Sequence, residues 1–555
     1  MSTDIPTPLK LAILSASFCV ANIIIFPQVF PSTPLTKLFL IFTSINFGVW
    51  GFWKVAIFPY WFSPFRHYSR PKGALPLLGH GQIVFQRPSG DSFLRLMNEV
   101  PNEGMIRFAG FFNVDWLLLT DQRSLSEVLV HKSYDYEKPK QLRSFLRMIL
   151  GDGLILVEGD EHKFQRKHLS PAFSFRNIKE LYPIFWSKAV ELTRGVAAEV
   201  HANPEPLKNE KEANPRSVVE INHWANKVTM DIIGVAALGR ELNALTNSDD
   251  ELIKNYEEIL EPTAEKAVYF TMNLFFPRRF IAMLPWALNA TLEKTTGNLR
   301  AICHELVREK KSTLKGEHTD SKDILSLLLV SNNFADDMIV DQLLTFLAAG
   351  HETTSSAFTW ATYLLAEHPE IQTKLREEIR ANIPSPFTAT ADNAELGNVL
   401  ESLPYLNAVC NEVTRLYPPV PTTIRIAVSD TTIGTQFVPK GTRIYISPWA
   451  INRSSALWGA NAAEFCPERW IDPETGRANN TGGVSSNYSI MTFLHGPRSC
   501  IGERFAKAEL KALIAVFCGT FSMEWADTER PIPAGAITAK PHNGMRIRLQ
   551  KQDGW

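Results

Sequence analysis

The sequence predicts a mainly α protein with small β-sheets, preceded by an N-terminal membrane anchor. Three observations carry that expectation. Two apolar runs, residues 11–30 and 38–58, each have about the 20 residues that a helix needs to cross a bilayer. Most of the rest has helical spacing, with strand-like runs only at residues 105–120, 442–449 and in the last twenty residues. The composition of the 555 residues is that of an ordinary globular protein, 45% hydrophobic and 21% charged, with a formal net charge of -1. That balance leaves no global basic field, so no nucleic acid is expected as a partner.

The first apolar run, LAILSASFCVANIIIFPQVF, is interrupted by Asn22 and Pro27. The second, LFLIFTSINFGVWGFWKVAIF, carries Asn46, and Lys54 close enough to its end to snorkel. A cleaved signal peptide is the competing reading. It is disfavoured because no small-residue cleavage site follows and a second apolar run comes at once. The expected plan is an anchor over residues 1–58, a proline-rich hinge over 59–76 and a body over 77–555. Arg66, His67, Arg70 and Lys72 follow the second run, against Lys37 alone between the runs, which places the body in the cytosol. The sequons Asn289-Ala290-Thr291 and Asn479-Asn480-Thr481 would then stay unglycosylated.

Within the body no fixed-period repeat is present, and residues 201–217, 308–323 and 472–487 read as polar surface connections. The stretch 336–367 reads as one long helix stopped before Pro369, about 48 Å at about 1.5 Å per residue. Its middle, Ala349-Gly350-His351-Glu352-Thr353-Thr354, is poor helix material, at about 1 kcal/mol for the glycine alone. Such rule-breaking marks sites. A gap at Gly350 would let something flat approach. Thr353 offers a hydroxyl on the same face and Glu352 a titratable proton, which together suit proton delivery. The competing reading is a polar patch on a long helix. His351 is given no role.

Further on, Glu412 and Arg415 stand at i,i+3 on a helix closed by Tyr417-Pro418-Pro419. Such a pair is ordinarily solvated decoration worth about 0.2–0.5 kcal/mol. With Arg469 of CPERW it could form a buried Arg–Glu–Arg network. The six cysteines show no CxxC spacing, so neither a disulfide framework nor a structural zinc site is indicated. Cys500 differs in context. In FLHGPRSCIG, residues 493–502, Gly496 and Pro497 make a turn, Gly502 admits a close approach, and Arg498 sets a positive charge beside the sulfur. The loop is suited to holding a thiolate, and zinc lacks partner ligands nearby.

AGHETT, ExxR, PERW and FxxGxRxCxG, in that order, closely resemble the cytochrome P450 family of haem-thiolate enzymes. The likeness runs from RPKGALPLLGHG at 70–81 to the C-terminus and is nearest to microsomal, fungal biosynthetic members. It implies the cytochrome P450 fold, with 77–555 as a haem-binding monooxygenase domain. Cys500 would be the axial ligand of the iron of haem b, with Phe493 shielding the loop and Gly496 and Gly502 letting it approach the porphyrin. Arg498 would pair with a haem propionate. His162 and Arg166, at i,i+4 in GDEHKFQRKHLSPAF, and Arg425 are further propionate candidates; at His162 the chain departs from the tryptophan that many members carry. Each has a bland reading as surface charge. Glu352 and Thr353 would deliver protons, and Glu412, Arg415 and Arg469 would be structural.

The chain carries no GxGxxG fingerprint. The resemblance therefore implies electrons from NADPH through NADPH-cytochrome P450 reductase, with cytochrome b5 as an accessory partner. Lys163, Lys167, Arg504, Lys507 and Lys511 would form the docking face, unless they serve solubility alone. The expected activity is insertion of one atom of O2 into a lipophilic organic substrate, in specialised-metabolite biosynthesis, at the endoplasmic reticulum membrane. PPVPTTI after Arg415 and PIPAGAIT at 531–538 would help line the pocket. The alternatives are a fatty-acid hydroxylase, a haem-thiolate isomerase or dehydratase, whose members tend to lose the acid–alcohol pair that is intact here, and a non-catalytic membrane-tethered haem-binding protein.

Overall fold

The long helix forms because no proline lies between the Ala335 cap and Pro369, and it runs Asp336–Glu367, thirty-two residues, as expected. The computed structural model describes residues 7–555 apart from 26–27, 31–32, 206–214, 247–248, 261–262, 317–321, 388–394 and 536. Every residue from Thr354 to Ala366 is buried, so this helix passes through the interior. It packs on the helices Ile221–Ile233 and Glu503–Thr520, and the latter packs in turn on Tyr182–Ala202. Gly350 is explained by this packing rather than by a gap for a flat group. A Cβ there would come within 2.6 Å of Ile233 Cδ1, so the missing side chain is what lets the two helices close.

Of the four sheets among the described residues, the two larger ones flank the helices. One is five-stranded, in the order Met105–Ala109, Asp115–Leu119, Arg443–Ile446, Thr423–Ala427, Tyr136–Glu137. Its middle pair sets Arg425 opposite Ile444, with Arg425 buried. The other is three-stranded, Arg216–Glu220, Arg546–Lys551, Phe521–Trp525. Strand-like runs thus became strands in all three expected places. The 201–217 and 308–323 stretches lie partly outside the described residues, and the helix Ala287–Gly316 reaches into the second.

At the N-terminus two helices, Thr7–Ile24 and Leu35–Phe52, pack together, and the second continues through residues 53–61. Both begin a few residues earlier than the apolar runs suggested; the first stops ahead of Pro27 and the second starts at a Pro34 cap. The chain is then fastened to the body. Arg107, buried on a wholly buried strand, pairs with Asp115 at 2.7 Å and donates to the carbonyls of Pro59 and Phe65. The first residues of the expected hinge are therefore docked.

Candidate functional site

An interior cavity of about 340 Å³ lies between the long helix and the cysteine loop. Thr345, Phe346, Ala349, Gly350, Thr353, Thr354 and Ala357 line it from the helix; Phe493, Leu494, Ser499, Cys500, Ile501 and Gly502 line it from the loop. Its apolar side walls come from Leu154, Ile155, Phe173 and Ile233, and from Pro419, Val420 and Thr423 after the Glu412 helix. Six basic side chains, Lys138, His162, Arg166, Arg425, Arg498 and Lys507, also line it.

The loop's geometry follows from its turns. The Cys500 N–H donates to the Phe493 carbonyl at 2.8 Å, which closes the loop on itself. The sulfur is accessible although the residue lies deep in the protein, because what it faces is the cavity. Burial pushes the thiol up to about 11, only partly opposed by a Gly502 peptide bond and by Arg166. A bound cation would reverse that preference, since coordination deprotonates a thiol. Gly502 lines the cavity, and a Cβ there would meet Cys500 Sγ at an ordinary 3.9 Å. Gly496 differs from expectation. It is left-handed, at φ 77°, and a Cβ would fall 2.3 Å from the Leu129 carbonyl, so its reason is backbone packing away from the cavity.

The basic rim has too little negative charge. Arg498 lies against the buried Glu158 carboxylate and over the Tyr134 ring, yet none of its nitrogens has a hydrogen-bond partner among the described residues. Glu158 Oε1 accepts from the Lys138 peptide at 3.0 Å. Burial, reinforced by Arg425 and Arg498, drags the Lys138 ammonium down to about 7, with Glu158 opposing. Burial and Arg498 lower Arg425 to about 10. Burial, Arg498 and Lys138 hold His162 at about 4, so its imidazole is neutral near pH 7. Its Nδ1 faces the Tyr134 hydroxyl at 3.1 Å. Arg166 donates to the Ser499 carbonyl at 2.6 Å, bracing the residue before Cys500. Unpartnered guanidinium nitrogens in an interior are costly. A flat apolar group with an anionic edge and a metal for the sulfur would satisfy all of them, so the donor set fits haem.

Lys138, Glu158 and Tyr134 are rim residues that sequence reasoning missed. Lys138 sits in a plain EKP context, and only the fold brings it to Arg498.

On the helix side, Thr353 Oγ donates to the Ala349 carbonyl at 2.7 Å, which leaves its acceptor lone pairs. Glu352 does not line the cavity. Its Oε1 accepts from Thr538 Oγ at 2.9 Å and lies 3.6 Å from Lys540 Nζ. Ser356 and Trp360, one and two turns on, both donate to the Ala539 carbonyl, so residues 538–540 run along one stripe of this helix. The described part of the 531–538 turn therefore stands behind the wall rather than in it.

Beneath the loop, Glu412 and Arg415 are fully buried. Glu412 receives Arg415 Nε and Nη2, Arg469 Nε, Trp470 Nε1 and the Cys466 peptide, all within 3.0 Å. Arg415 also donates to the carbonyls of Asn452, Ala462 and Glu464. Asn452, likewise missed, links this network to the loop through Thr492 Oγ and the Met491 peptide. On the outer face Lys163, Lys167 and Arg504 are exposed and Lys507 partly so. Lys511 is not. It is 6% exposed and paired with Glu401, because its helix turns that face into the core.

Comparison with known proteins gives one consistent result. A family profile described as Cytochrome P450 matches residues 70–545. Cytochrome P450 monooxygenase sphH of Aspergillus fumigatus is 38% identical over 512 residues, 91% of this chain and 91% of that protein. Cytochrome P450 monooxygenase ALT8 of Alternaria alternata is 36% identical, covering 92% of this chain and 93% of its own. Cytochrome P450 monooxygenase ptmK of Penicillium ochrochloron is 36% identical, covering 91% and 97%.

Proposed function

The chain belongs to the cytochrome P450 family, and from that premise we infer that it is a haem-thiolate monooxygenase of specialised-metabolite biosynthesis, inserting one atom of O2 into a lipophilic organic molecule. The observation that carries this reading is the convergence of Cys500 and six basic side chains on one largely apolar cavity. When bound, haem b supplies the redox chemistry, with thiolate ligation favouring cleavage of the O–O bond. The chain's own residues do the rest. Cys500 holds the iron. Arg498, Arg425, Lys138 and the neutral His162 hold the propionates, while Arg166 fixes the Ser499 carbonyl and so the loop. Phe493 and the peptide bonds of the loop shield the sulfur from water.

Thr353 Oγ, its proton engaged by Ala349, offers lone pairs to a water or a guest hydroxyl in the cavity. Glu352, one residue earlier and held by Thr538 and Lys540 outside the cavity, is the proton source. Glu412, Arg415 and Arg469 keep the loop in place. On the side of the long helix the lining is uncharged, from Thr345 to Ala357, which suits a neutral lipophilic guest.

Electrons come from NADPH by way of NADPH-cytochrome P450 reductase, with cytochrome b5 as an accessory donor. The docking face is Lys163, Lys167, Arg504 and Lys507, without Lys511. The two N-terminal helices, apolar enough to cross a membrane, anchor the chain in the endoplasmic reticulum with its body in the cytosol. The test is the full chain in microsomes with reductase, NADPH and O2, screened by mass spectrometry against lipophilic candidates. A product heavier by one oxygen is expected, and Cys500→Ala is expected to abolish the red-shifted band of the reduced carbon monoxide complex. Rearrangement of peroxides without O2 or reductase would overturn the monooxygenase reading. A Cys500→Ala protein that keeps the band would overturn the ligand assignment.

A further inference from the structure

We propose that the two N-terminal helices cross the membrane together as a hairpin, which puts the chain's N-terminus on the same side as its catalytic body. This rests on the reading of the chain as membrane-anchored, and not on its activity. A helix rises about 1.5 Å per residue, so Thr7–Ile24, with 18 residues, and Leu35–Trp61, with 27, span about 27 Å and 40 Å; against a hydrocarbon core of about 30 Å the first crosses with slight thinning of the bilayer and the second with tilt.

The pairing is antiparallel. Ser15 meets Asn46, whose Nδ2 donates to the serine hydroxyl at 2.9 Å, and Phe18 meets Phe42 with ring centroids 5.5 Å apart. What the hairpin hides and what it shows are reversed relative to a water-soluble helix pair. Ser15, Cys19 and Asn22 are buried in it, whereas Ile13, Val20, Ile23, Leu40, Ile45 and Val49 are at least half exposed. Polar inside and apolar outside is the arrangement that lipid demands. Asn46, near the middle of the second helix, supplies the decisive constraint. Alone at that depth its amide would face hydrocarbon unpaired, and the partner that satisfies it is on the first helix, which must therefore sit at the same depth.

Charge agrees with this topology. Residues 25–34, which join the helices, carry no charged side chain. Lys10 stands at the outer end of the first helix, and Arg66, Arg70 and Lys72 follow the second, so both ends of the hairpin satisfy the positive-inside rule on one face, against Lys37 alone on the other. The second helix leaves the membrane at a fixed place. Tyr60, Trp61 and Phe62 are exposed there as an aromatic belt, beside the Pro59 and Phe65 carbonyls that Arg107 holds and the Val55 carbonyl that Asn113 holds.

The test uses the full chain in glycosylating microsomes, with an Asn-X-Thr acceptor on a flexible spacer placed either ahead of Met1 or within residues 25–34. The connector acceptor is expected to gain a glycan and the N-terminal acceptor none, and an N-terminal epitope is expected to be destroyed by protease added outside sealed vesicles. A glycan on the N-terminal acceptor, or an epitope protected until detergent is added, would overturn the hairpin. So would an unmodified connector acceptor. The native Asn289 and Asn479 sequons report separately on the body: a glycan there would mean that the cytosolic anchoring itself is wrong.

Discussion

Two buried charge clusters lie close to the cysteine loop, and they differ in how their charges are matched. Around Glu412 one carboxylate receives five hydrogen bonds, and Arg415 places its remaining donors on three carbonyls. Around Arg498 a single carboxylate, Glu158, faces Lys138, Arg425 and Arg498; Arg498 Nη1 touches it, and Nε and Nη2 find no hydrogen-bond acceptor among the described residues. A closed network needs nothing from outside and acts as frame. An open one costs stability until an anion arrives, which is how a binding site is distinguished from a strut.

Mutation should separate the two. Glu412→Gln leaves Arg415 and Arg469 buried against a neutral amide, and breaking a buried pair in this way costs about 3–5 kcal/mol. Its urea midpoint is expected to fall sharply with or without haem. Arg498→Leu is expected to behave oppositely. The haem-free full chain in detergent should keep or raise its midpoint, while haem transfer to apomyoglobin should speed up about 10- to 100-fold, the scale of one lost charge-assisted bond of about 1.5–3 kcal/mol. A fall in the haem-free midpoint as large as that of Glu412→Gln would erase the distinction.

The open cluster should also show in the pH dependence of stability. The folded chain holds Lys138 at about 7, below its ordinary 10.5, so between those values the unfolded chain binds the extra proton. Stability of the haem-free chain should therefore rise with pH across that window, by up to about 1.4 kcal/mol per pH unit, and the rise should be missing in Lys138→Met. A further effect is expected at Glu509, a buried acid in the helix after the loop whose pKa burial raises well above the ordinary range, only partly opposed by Thr354. It folds protonated, so its contribution is lost as pH rises above about 4.3, where the unfolded acid ionises. Glu509→Gln should gain on the parent between pH 4 and pH 8 in urea unfolding.

The frame was more legible in the sequence than the socket, for a physical reason. Glu412 and Arg415 are one helical turn apart, and the loop of Cys500 is bounded by its own glycines, so local spacing already brings these groups together. Lys138 and Glu158 meet Arg498 only through the fold. The reasons given for two glycines were also out of reach: Gly350 answers to Ile233 and Gly496 to the Leu129 carbonyl, neither of which is near in sequence. Lys511 reads as one more surface cation until the helix Glu503–Thr520 is seen to be buried along nearly its whole length beyond Lys507. The layered order of helices and strands, by contrast, followed from periodicity because it is set within each segment.

The stripe formed by residues 538–540 has a mechanical consequence. The Ala539 peptide nitrogen donates to the Pro419 carbonyl on the cavity wall, while its own oxygen tethers Ser356 and Trp360 and its neighbours clasp Glu352. A guest too bulky for the space at Pro419 would shift that peptide outward, and the strain would arrive at the acid on the opposite side of the helix. Fit at one wall and the placing of Glu352 at the other are thereby geared to the same three-residue clasp.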